Sequence, residues 1–163
     1  MRVDIAPISH EDLDAAADAI ASGEIFQQYG VDQEVARETL RNAHGKVVVA
    51  RLDGAVVGVA IYWWDGLMPA PAYLRILAVK EGARGKGVGR ALLRYIEGEA
   101  FQRGPNLFLC CTRTNVLARR FYEREGYQVV GELPDFIQQG IDEVLYRKTR
   151  GAIRGYEPDR SPS

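Results

Sequence analysis

Three glycines and three cations lie together in the segment Arg84-Gly85-Lys86-Gly87-Val88-Gly89-Arg90. The segment follows an apolar run and opens an amphipathic pattern, which predicts a turn from a strand into a helix. Such a turn directs backbone N–H groups and a helix N-terminus toward one point, and glycine lets a ligand approach the backbone. The cationic side chains add donors for an anion. The segment therefore predicts a phosphate site, and a glycine-rich connection with solvated cations is the simpler alternative.

Two other kinds of phosphate-binding turn fit this segment poorly. A Walker P-loop requires Ser or Thr after the lysine of GxxxxGK, whereas Lys86 is followed by Gly87. A dinucleotide-binding turn requires GxGxxG in repeating βαβ units and an acidic residue about 20 positions later. Here the glycine spacing is GxGxG, and the residues near position 109 are Leu and Cys. Both nucleotide-binding classes are therefore disfavoured.

A second pattern follows the glycine segment and includes a helix-capping asparagine, Asn115, and a phenol, Tyr122. Asn115 is typical of a helix N-cap, and Tyr122 is suited either to packing or to donating a proton. The segment LAVKEGARGKGVGRALL (77–93) resembles the acyl-CoA motif of the GNAT N-acetyltransferase superfamily, with matches at Arg84, Gly87 and Gly89; Glu81 departs from the Pro found in many relatives. The second pattern resembles that family's N-x-x-A-x-x-F-Y-x-x-x-G-[FY], with matches at Asn115, Ala118, Phe121-Tyr122 and Gly126-Tyr127.

The resemblance implies a site for acetyl-CoA. The pyrophosphate would lie on the backbone amides from Arg84 to Gly89, and the pantetheine arm would pair with the strand backbone at Leu77 and Val79. The Leu77 amide would face the thioester oxygen, and Asn115 would bind the pantetheine arm as well as cap its helix. The residues implied to bind the cofactor are Leu77, Ala78, Val79, Arg84, Gly85, Lys86, Gly87, Val88, Gly89, Arg90, Asn115 and Tyr122.

The resemblance also implies catalytic roles. Tyr122 would donate a proton to the coenzyme A thiolate as it leaves. Some relatives place a glutamate base on the strand before the glycine turn, but that strand reads Tyr73-Leu74-Arg75-Ile76 and offers no carboxylate there. Glu24 is the first candidate for the base. Asp65, Asp142 and a chain of waters are the alternatives.

The family's acceptor pocket is formed by two loops, here predicted as SGEIFQQYG (22–30) and PDFIQQGID (134–142). Aromatic side chains beside scattered carboxylates suit a cationic amine, although they also occur as ordinary core residues. The candidate acceptor-binding residues are Phe26, Tyr29, Trp64, Tyr73 and Phe136. Cys111 is interpreted as a buried packing residue rather than a nucleophile.

Strands and helices are predicted in an order that fits this family. The pattern favours a mixed α/β sheet, mostly antiparallel, around a β-α-β cofactor-binding core, which is the GNAT acyl-CoA N-acyltransferase fold. Residues 1–150 would form the acetyltransferase domain, and 151–163 a polar tail of a composition that is usually disordered, with docking onto the domain or onto a neighbouring subunit as the alternative. The predicted elements are strands 2–6, 46–52, 55–64, 72–79, 106–111, 127–133 and 142–149, and helices 9–22, 32–43, 87–104 and 115–126.

Composition sets broader limits. The 163 residues carry a formal net charge of −1, so no general basic field attracts nucleic acid or anionic lipid. The two cysteines are adjacent and only two histidines are present, so no metal site is expected, and a reducing, cytoplasmic setting is the default. No apolar segment approaches the roughly 20 residues of a membrane span, and the N-terminal residues are too charged for a secretory signal.

The predicted function is acetyl transfer from acetyl-CoA to a primary amine by direct attack, without a covalent enzyme intermediate. A small-molecule amine is the favoured acceptor. The alternatives are a peptide or protein N-terminal or lysine acetyltransferase and a non-catalytic acyl-CoA-binding sensor. A homodimer is possible because many relatives are dimers.

Overall fold

The computed structural model of the chain describes residues 2–65 and 72–158. The strands are β1 (Val3–Pro7), β2 (Lys46–Leu52), β3 (Ala55–Trp63), β4 (Ala72–Val79), β5 (Asn106–Thr112), β6 (Gln128–Gln138) and β7 (Ile141–Thr149). The helices are α1 (Leu13–Ala21), α2 (Glu24–Gln28), α3 (Gln33–Arg41), α4 (Val88–Ala100) and α5 (Val116–Arg124), with short 3-10 turns at His10–Asp12 and Glu81–Ala83.

The strands form one mixed sheet in the order β1-β2-β3-β4-β5-β7-β6. Strand β1 pairs antiparallel with β2, β2 with β3, and β7 with both β5 and β6. Strands β4 and β5 pair in parallel through Ala72–Leu74 and Leu107–Leu109. A parallel pair requires a crossover, which α4 supplies. The predicted mixed, mostly antiparallel sheet with a β-α-β core is therefore confirmed.

The chain divides into two compact units, each made of two chain segments. The first contains Met1–Trp63 and Arg75–Ile96, and the second contains Trp64–Leu74 and Glu97–Ser163. In the first unit, small side chains on α1 allow close packing with α3 and with strands β2 and β3. Its buried core comprises Ala16, Ala17, Ala19, Ile20, Ala36, Leu40, Val49, Val56, Val59, Ile61 and Ala78. In the second unit, the buried side chains include Phe101, Leu107, Leu109, Tyr122, Tyr127, Val144 and Tyr146.

The turn between β2 and β3 forms where Asp-Gly predicts it. Asp53 and Gly54 have φ angles of 49° and 83°. Positive φ at both central residues is the signature of a two-residue turn whose twist matches the flanking strands, and Asp-Gly is one of the sequences that favours it. The hairpin prediction is confirmed.

The segment predicted as a loop over 22–30 contains a helix instead. Glu24 begins α2, which ends at Gln28. The helix has five residues and no buried side chain, so it is too short to show an apolar period of 3.6. The predicted order of elements was therefore wrong by one helix.

The loop predicted over 134–142 is also wrong. Strand β6 continues through Pro134 to Gln138, and β7 begins at Ile141. Proline lacks the N–H that a strand interior uses, but β6 is the last strand in the sheet order, and an edge strand tolerates that loss. The pairing of β6 with β7 shifts register between Leu133 and Gln138, where Asp135 has a φ of 51°.

The N-terminus of the first helical segment is fixed by Asp12. Its carboxylate accepts hydrogen bonds from the Ser9 N–H and the Ser9 hydroxyl, both at 2.8 Å, and pairs with the Arg51 guanidinium at 2.6 Å. Burial alone would raise the pKa of Asp12, but these hydrogen bonds and the Arg51 charge outweigh it and lower the pKa. The predicted capping pair of Ser9 and Asp12 is confirmed.

We expect Asp12→Asn to lower the free energy of unfolding by about 2 kcal/mol at pH 7, because hydrogen bonds to a charged group are lost. A carboxyl whose folded pKa lies below its unfolded value stabilises the fold above the unfolded pKa, and that stabilisation is lost as pH falls through the folded pKa. The difference between wild type and variant, measured by urea unfolding, should therefore shrink below about pH 4. A difference that is constant down to pH 2 would contradict this account.

The described part of the C-terminal tail packs on the second unit. The Tyr156 hydroxyl donates to the Phe101 carbonyl at 2.8 Å, and the Arg150 guanidinium lies 4.3 Å from the centre of the Phe101 ring. The tail was predicted over 151–163, of which 159–163 fall outside the described residues. No helix within the described ranges has the length and apolar character needed to span a membrane.

Candidate functional site

Strand β4 presents two different faces. Ala72, Leu74 and Ala78 on one face are buried, whereas the other face carries half-buried Leu77 and Val79 and exposed Arg75. We call Arg75, Leu77 and Val79 the open face of β4. Because β4 is the fourth strand in a seven-strand order, its apolar side chains would ordinarily be covered. An incompletely covered face on a central strand is therefore a candidate place for a ligand.

The chain folds back at the end of β4. The Lys80 N–H donates to the Val57 carbonyl at 2.8 Å, and the Lys80 ammonium lies 3.0 Å from the Asp18 carboxylate. A 3-10 turn follows, and the Arg84 guanidinium donates through Nε to the Val79 carbonyl at 3.4 Å. These bonds hold the start of the glycine segment beside the last residue of β4.

Two glycines in this segment have backbone conformations that other residues rarely adopt. Gly85 has a φ of 73° and Gly87 a φ of 81°. A Cβ atom at either position would meet no atom within 4 Å, so the requirement for glycine comes from the backbone angle and not from crowding. Left-handed residues alternating with ordinary ones turn successive N–H groups toward one side, as in anion-binding nests.

Helix α4 begins directly after these glycines. Its first internal hydrogen bond runs from the Ala91 N–H to the Gly87 carbonyl at 2.9 Å, so the Val88 and Gly89 N–H groups have no acceptor within the helix. The helix dipole adds positive potential at the same point. The exposed side chains of Arg84, Lys86 and Arg90 flank this end. We call residues 84–90 the anion cradle.

Close packing on β3 fixes the position of this helix end. A Cβ atom at Gly58 would lie 3.0 Å from the Val88 side chain and 3.1 Å from that of Leu92. Val88 and Leu92 are both buried. Gly58 therefore permits the close approach of α4 to β3, a role that the sequence analysis missed. A glycine inside an otherwise apolar strand was the available signal.

In the second unit, α5 carries Asn115 and Tyr122. The Asn115 Oδ1 accepts the Ala118 N–H at 3.2 Å, which confirms the predicted cap. The Tyr122 side chain is 8% exposed and lies edge-on to the rings of Phe121 and Tyr127, at centroid distances of 5.2 and 5.7 Å. In the part of the chain that the structure describes, its hydroxyl has no hydrogen-bond partner. Burial, assisted by the nearby Cys111, raises the pKa of Tyr122, so the phenol keeps its proton.

Helix α5 is tied to β7 through the Tyr146 hydroxyl. Arg119 donates to that hydroxyl at 3.0 Å, and the hydroxyl donates to the Glu123 carboxylate at 2.9 Å. Arg119 also donates to the Arg113 carbonyl at 3.3 Å. These bonds fix the rotation of α5 and therefore the direction of Tyr122.

A buried ion pair supports the same region. Glu97 is 4% exposed, and both of its carboxylate oxygens accept hydrogen bonds from the Lys148 ammonium at 2.9 Å. The Tyr127 hydroxyl donates to the same carboxylate at 3.1 Å. The ring of Tyr127, which packs against Tyr122, is therefore held by a charge-assisted hydrogen bond.

The two thiols lie on opposite faces of β5, because successive side chains of a strand alternate. Burial raises the pKa of Cys111 to about 12 and also raises the pKa of Cys110. Both thiols therefore stay protonated near neutral pH and make poor nucleophiles. The predicted burial of Cys111 is confirmed. Among the residues described, no three His, Cys, Asp or Glu side chains are grouped so that they could hold a metal ion.

The candidate bases have different surroundings. Glu24 and Asp65 are exposed. Asp142 is half-buried, accepts the Asp135 N–H at 3.2 Å and lies 3.8 Å from the Arg113 guanidinium. None of these contacts identifies a base, so the role of Glu24 stays a prediction.

The five candidate acceptor-binding residues are divided between the two units. Phe26 and Tyr29 belong to the first unit, where Phe26 packs against the core. Trp64, Tyr73 and Phe136 belong to the second. Trp64 lies beneath the Arg103 guanidinium at 4.7 Å, Tyr73 shares a hydrogen bond with the Cys110 thiol, and Phe136 is exposed. Their role in acceptor binding also stays a prediction.

A buried carboxylate that the sequence analysis missed lies in the second unit. Glu143 is 3% exposed and accepts the Thr112 hydroxyl at 2.7 Å. Residues 112 and 143 are directly opposed in the pairing of β5 with β7. The sequence contains no local signal for this contact, because the partners are 31 positions apart.

The first unit has a shallow cavity beside the segment predicted to bind the acceptor. Its volume is about 380 Å³. It lies between the end of α1, the residues after α2 and the start of α3, and its lining comprises Ala21, Gln27, Gly30, Val31, Asp32 and Gln33.

A mixed sheet whose central strand leads through a glycine turn into a helix N-terminus is an α/β arrangement suited to binding a phosphate group. The family model described as the acetyltransferase (GNAT) family matches residues 11–127. An uncharacterized N-acetyltransferase of Methanocaldococcus jannaschii is 38% identical over 112 residues, which are 66% of this chain and 68% of that protein. The chain belongs to the GNAT family of acetyltransferases.

Solved structures support the same fold. A crystal structure assigned to the GNAT acetyltransferases of Desulfovibrio desulfuricans has a TM-score of 0.74 at 26% identity, covering 91% of this chain and 99% of that one. The ribosomal-protein-S18-alanine N-acetyltransferase of Escherichia coli also has a TM-score of 0.74, covering 96% and 100%. The sequence identity to this E. coli protein is 20%, so the similarity supports the fold alone.

Proposed function

We propose that this protein transfers the acetyl group of acetyl-CoA to a primary amine by direct attack, and that the acceptor is a small molecule. The observation that carries the proposal is the anion cradle, in which left-handed Gly85 and Gly87 precede the free N–H groups at the start of α4. This chemistry fits a pyrophosphate. When bound, acetyl-CoA supplies an activated thioester whose leaving group is a thiolate.

The open face of β4 suits the rest of the cofactor. Leu77 and Val79 are apolar and half-buried, so a ligand arm lying over them would remove apolar surface from water. In this proposal, the Leu77 amide donates to the thioester oxygen as negative charge develops there.

Tyr122 is the proposed acid. Its phenol keeps its proton because burial raises its pKa, and its hydroxyl has no competing acceptor among residues 2–65 and 72–158. Phenol and thiol pKa values in water, about 10 and 8.5, differ by only about 1.5. Removal from water raises the pKa of the departing thiol as well as that of Tyr122, so the two shifts partly offset each other. The amine must be neutral to attack, and a water or Glu24 removes its proton in this proposal.

The cradle is tested with Gly87→Val, which forces a β-branched residue into a left-handed conformation. We expect the affinity for acetyl-CoA, measured by calorimetry, to fall at least tenfold, which is about 1.4 kcal/mol. Gly54→Val is the matched control, because Gly54 has a φ of 83° and open space around its Cβ position but lies in the β2–β3 turn. Equal losses of affinity in both variants would contradict the assignment of the cradle.

The transfer itself is tested by coenzyme A release over a panel of amines. The panel contains amino acids, polyamines, aminoglycosides and peptides, each with acetyl-CoA. Release with at least one amine, accompanied by the acetylated product, supports the proposal. Binding of acetyl-CoA without acetylation of any amine would favour a non-catalytic sensor, and failure to bind acetyl-CoA would overturn the proposal.

A further inference from the structure

Arg75 is an unusual residue for its place in the sheet. The other residues of β4 are Ala, Tyr, Leu, Ile and Val, and Arg75 carries the strand's one charge and is exposed. Its guanidinium has no ion pair or hydrogen bond with any residue in the two described ranges. A solvated arginine is common at a protein surface, but β4 is the fourth strand in a seven-strand order. The Arg75 guanidinium is therefore available to contact a ligand that lies on the open face of β4.

The position of Arg75 along the strand indicates which ligand that is. A strand advances about 3.3 Å per residue, so Arg75 lies about 6.6 Å before Leu77 and about 13 Å before Val79. The anion cradle begins after Val79, in the opposite direction along the chain. If the pyrophosphate occupies the cradle and the thioester lies at Leu77, then Arg75 lies beyond the thioester, on the side from which the acceptor attacks.

We propose that Arg75 binds an anionic group of the acceptor, so that the substrate class is a primary amine that also carries a carboxylate, as amino acids do. This inference rests on the proposed acetyl transfer. A guanidinium offers two parallel donors that match a carboxylate. It also disfavours polyamines and other purely cationic acceptors, since like charges repel.

The same cation would ease the attack. A positive charge near an amine lowers the pKa of that amine, because the ammonium form is repelled. Strand β4 carries no carboxylate that could take the proton. Arg75 would thus both orient the acceptor and raise the fraction of neutral amine.

The test compares each amino acid that has a primary α-amine with its own carboxamide as acceptor, at equal concentrations of neutral amine. For wild type we expect kcat/KM to favour the acid at least tenfold for the best pair. Arg75→Met should bring that ratio to within about twofold of one, and Arg75→Lys should retain part of the preference. Arg41→Met is the matched control, because Arg41 is also exposed and without a partner among the described residues, but lies on α3.

Four results would overturn the inference. If wild type acetylates carboxamides or polyamines with the same kcat/KM as the acids, the role of Arg75 is refuted. The proposal of acetyl transfer is not affected by that result. A preference for the acid that survives in Arg75→Met would also refute it. Loss of acetyl-CoA affinity in Arg75→Met would assign the residue to the cofactor instead. If no amine of any kind is acetylated, the proposed function fails together with this inference.

Discussion

Replacing Tyr122 by Phe is expected to lower kcat about a hundredfold, at the lower end of what a positioned general acid contributes. The physical reason is that coenzyme A would then leave as a thiolate without a positioned proton donor. The affinity for acetyl-CoA should change little, because the hydroxyl supplies one contact among many. Steady-state kinetics with the best acceptor, together with calorimetry, measures both quantities.

Stability separates this role from a structural one. The Tyr122 side chain is 8% exposed and its hydroxyl makes no hydrogen bond with any described residue, so its removal breaks no hydrogen bond within that part of the protein. Tyr122→Phe should therefore be at least as stable as wild type while being much slower. A residue retained only for packing would keep both its stability and its activity, because phenylalanine preserves the ring contacts with Phe121 and Tyr127.

Tyr127→Phe is the matched control. Its hydroxyl does have a partner, the buried Glu97 carboxylate at 3.1 Å. Its loss should lower the free energy of unfolding by about 1–2 kcal/mol and leave kcat near the wild-type value. If Tyr122→Phe keeps full activity, or if both variants lose activity equally, Tyr122 is not the acid.

The largest expected effect on stability comes from Lys148→Met. This change removes the cation that pairs with the buried Glu97 carboxylate. Among the described residues, only the Tyr127 hydroxyl then remains as its hydrogen-bond donor. Breaking a buried ion pair by removing one partner costs about 3 kcal/mol or more. For a chain of this length the midpoint of thermal unfolding should fall by about 6–12 °C, which calorimetry or circular dichroism measures.

Two further variants test the cause of that loss. Lys80→Met breaks the pair with Asp18, which is 54% exposed, and should cost less than about 1 kcal/mol. The triple variant Glu97→Leu, Tyr127→Phe and Lys148→Met replaces the whole buried group by apolar side chains, and it should recover at least half of the loss. A triple variant as unstable as Lys148→Met would show that packing, and not the stranded charge, causes the loss.

Local signals predicted those elements that local chemistry determines. Asp53-Gly54 marks its turn because only a few residues accept positive φ, and Asn115 marks the start of α5 because its side chain replaces a missing backbone acceptor. The predicted bounds of β4, 72–79, match the structure. Of the glycines of the anion cradle, Gly85 and Gly87 lie between β4 and α4, and Gly89 lies in the first turn of α4.

The sequence predictions fail where contacts between distant parts of the chain determine the structure. Pro134 suggests a loop, but it is tolerated because β6 is an edge strand, and a single sequence does not show which strand is last in a sheet. Glutamate is usually found at the protein surface, yet Glu143 is buried and its carboxylate accepts a hydrogen bond from Thr112 on a neighbouring strand. Gly58 allows close packing of α4, a helix that begins about 30 positions later in the chain. Such contacts depend on pairings between distant parts of the chain.

The division into two units has a consequence for how the protein is synthesised. The first unit requires Arg75–Ile96 in addition to Met1–Trp63, and the second requires Trp64–Leu74 in addition to Glu97–Ser163. On the ribosome, the first unit therefore cannot be completed until residue 96 has left the exit tunnel. Residues Ala72–Leu74 of β4 emerge earlier, and they cannot pair with Leu107–Leu109 of β5 until that strand has been made. Chain order thus delays both units, and a nascent chain that stops near residue 74 lacks β5, the parallel partner of Ala72–Leu74.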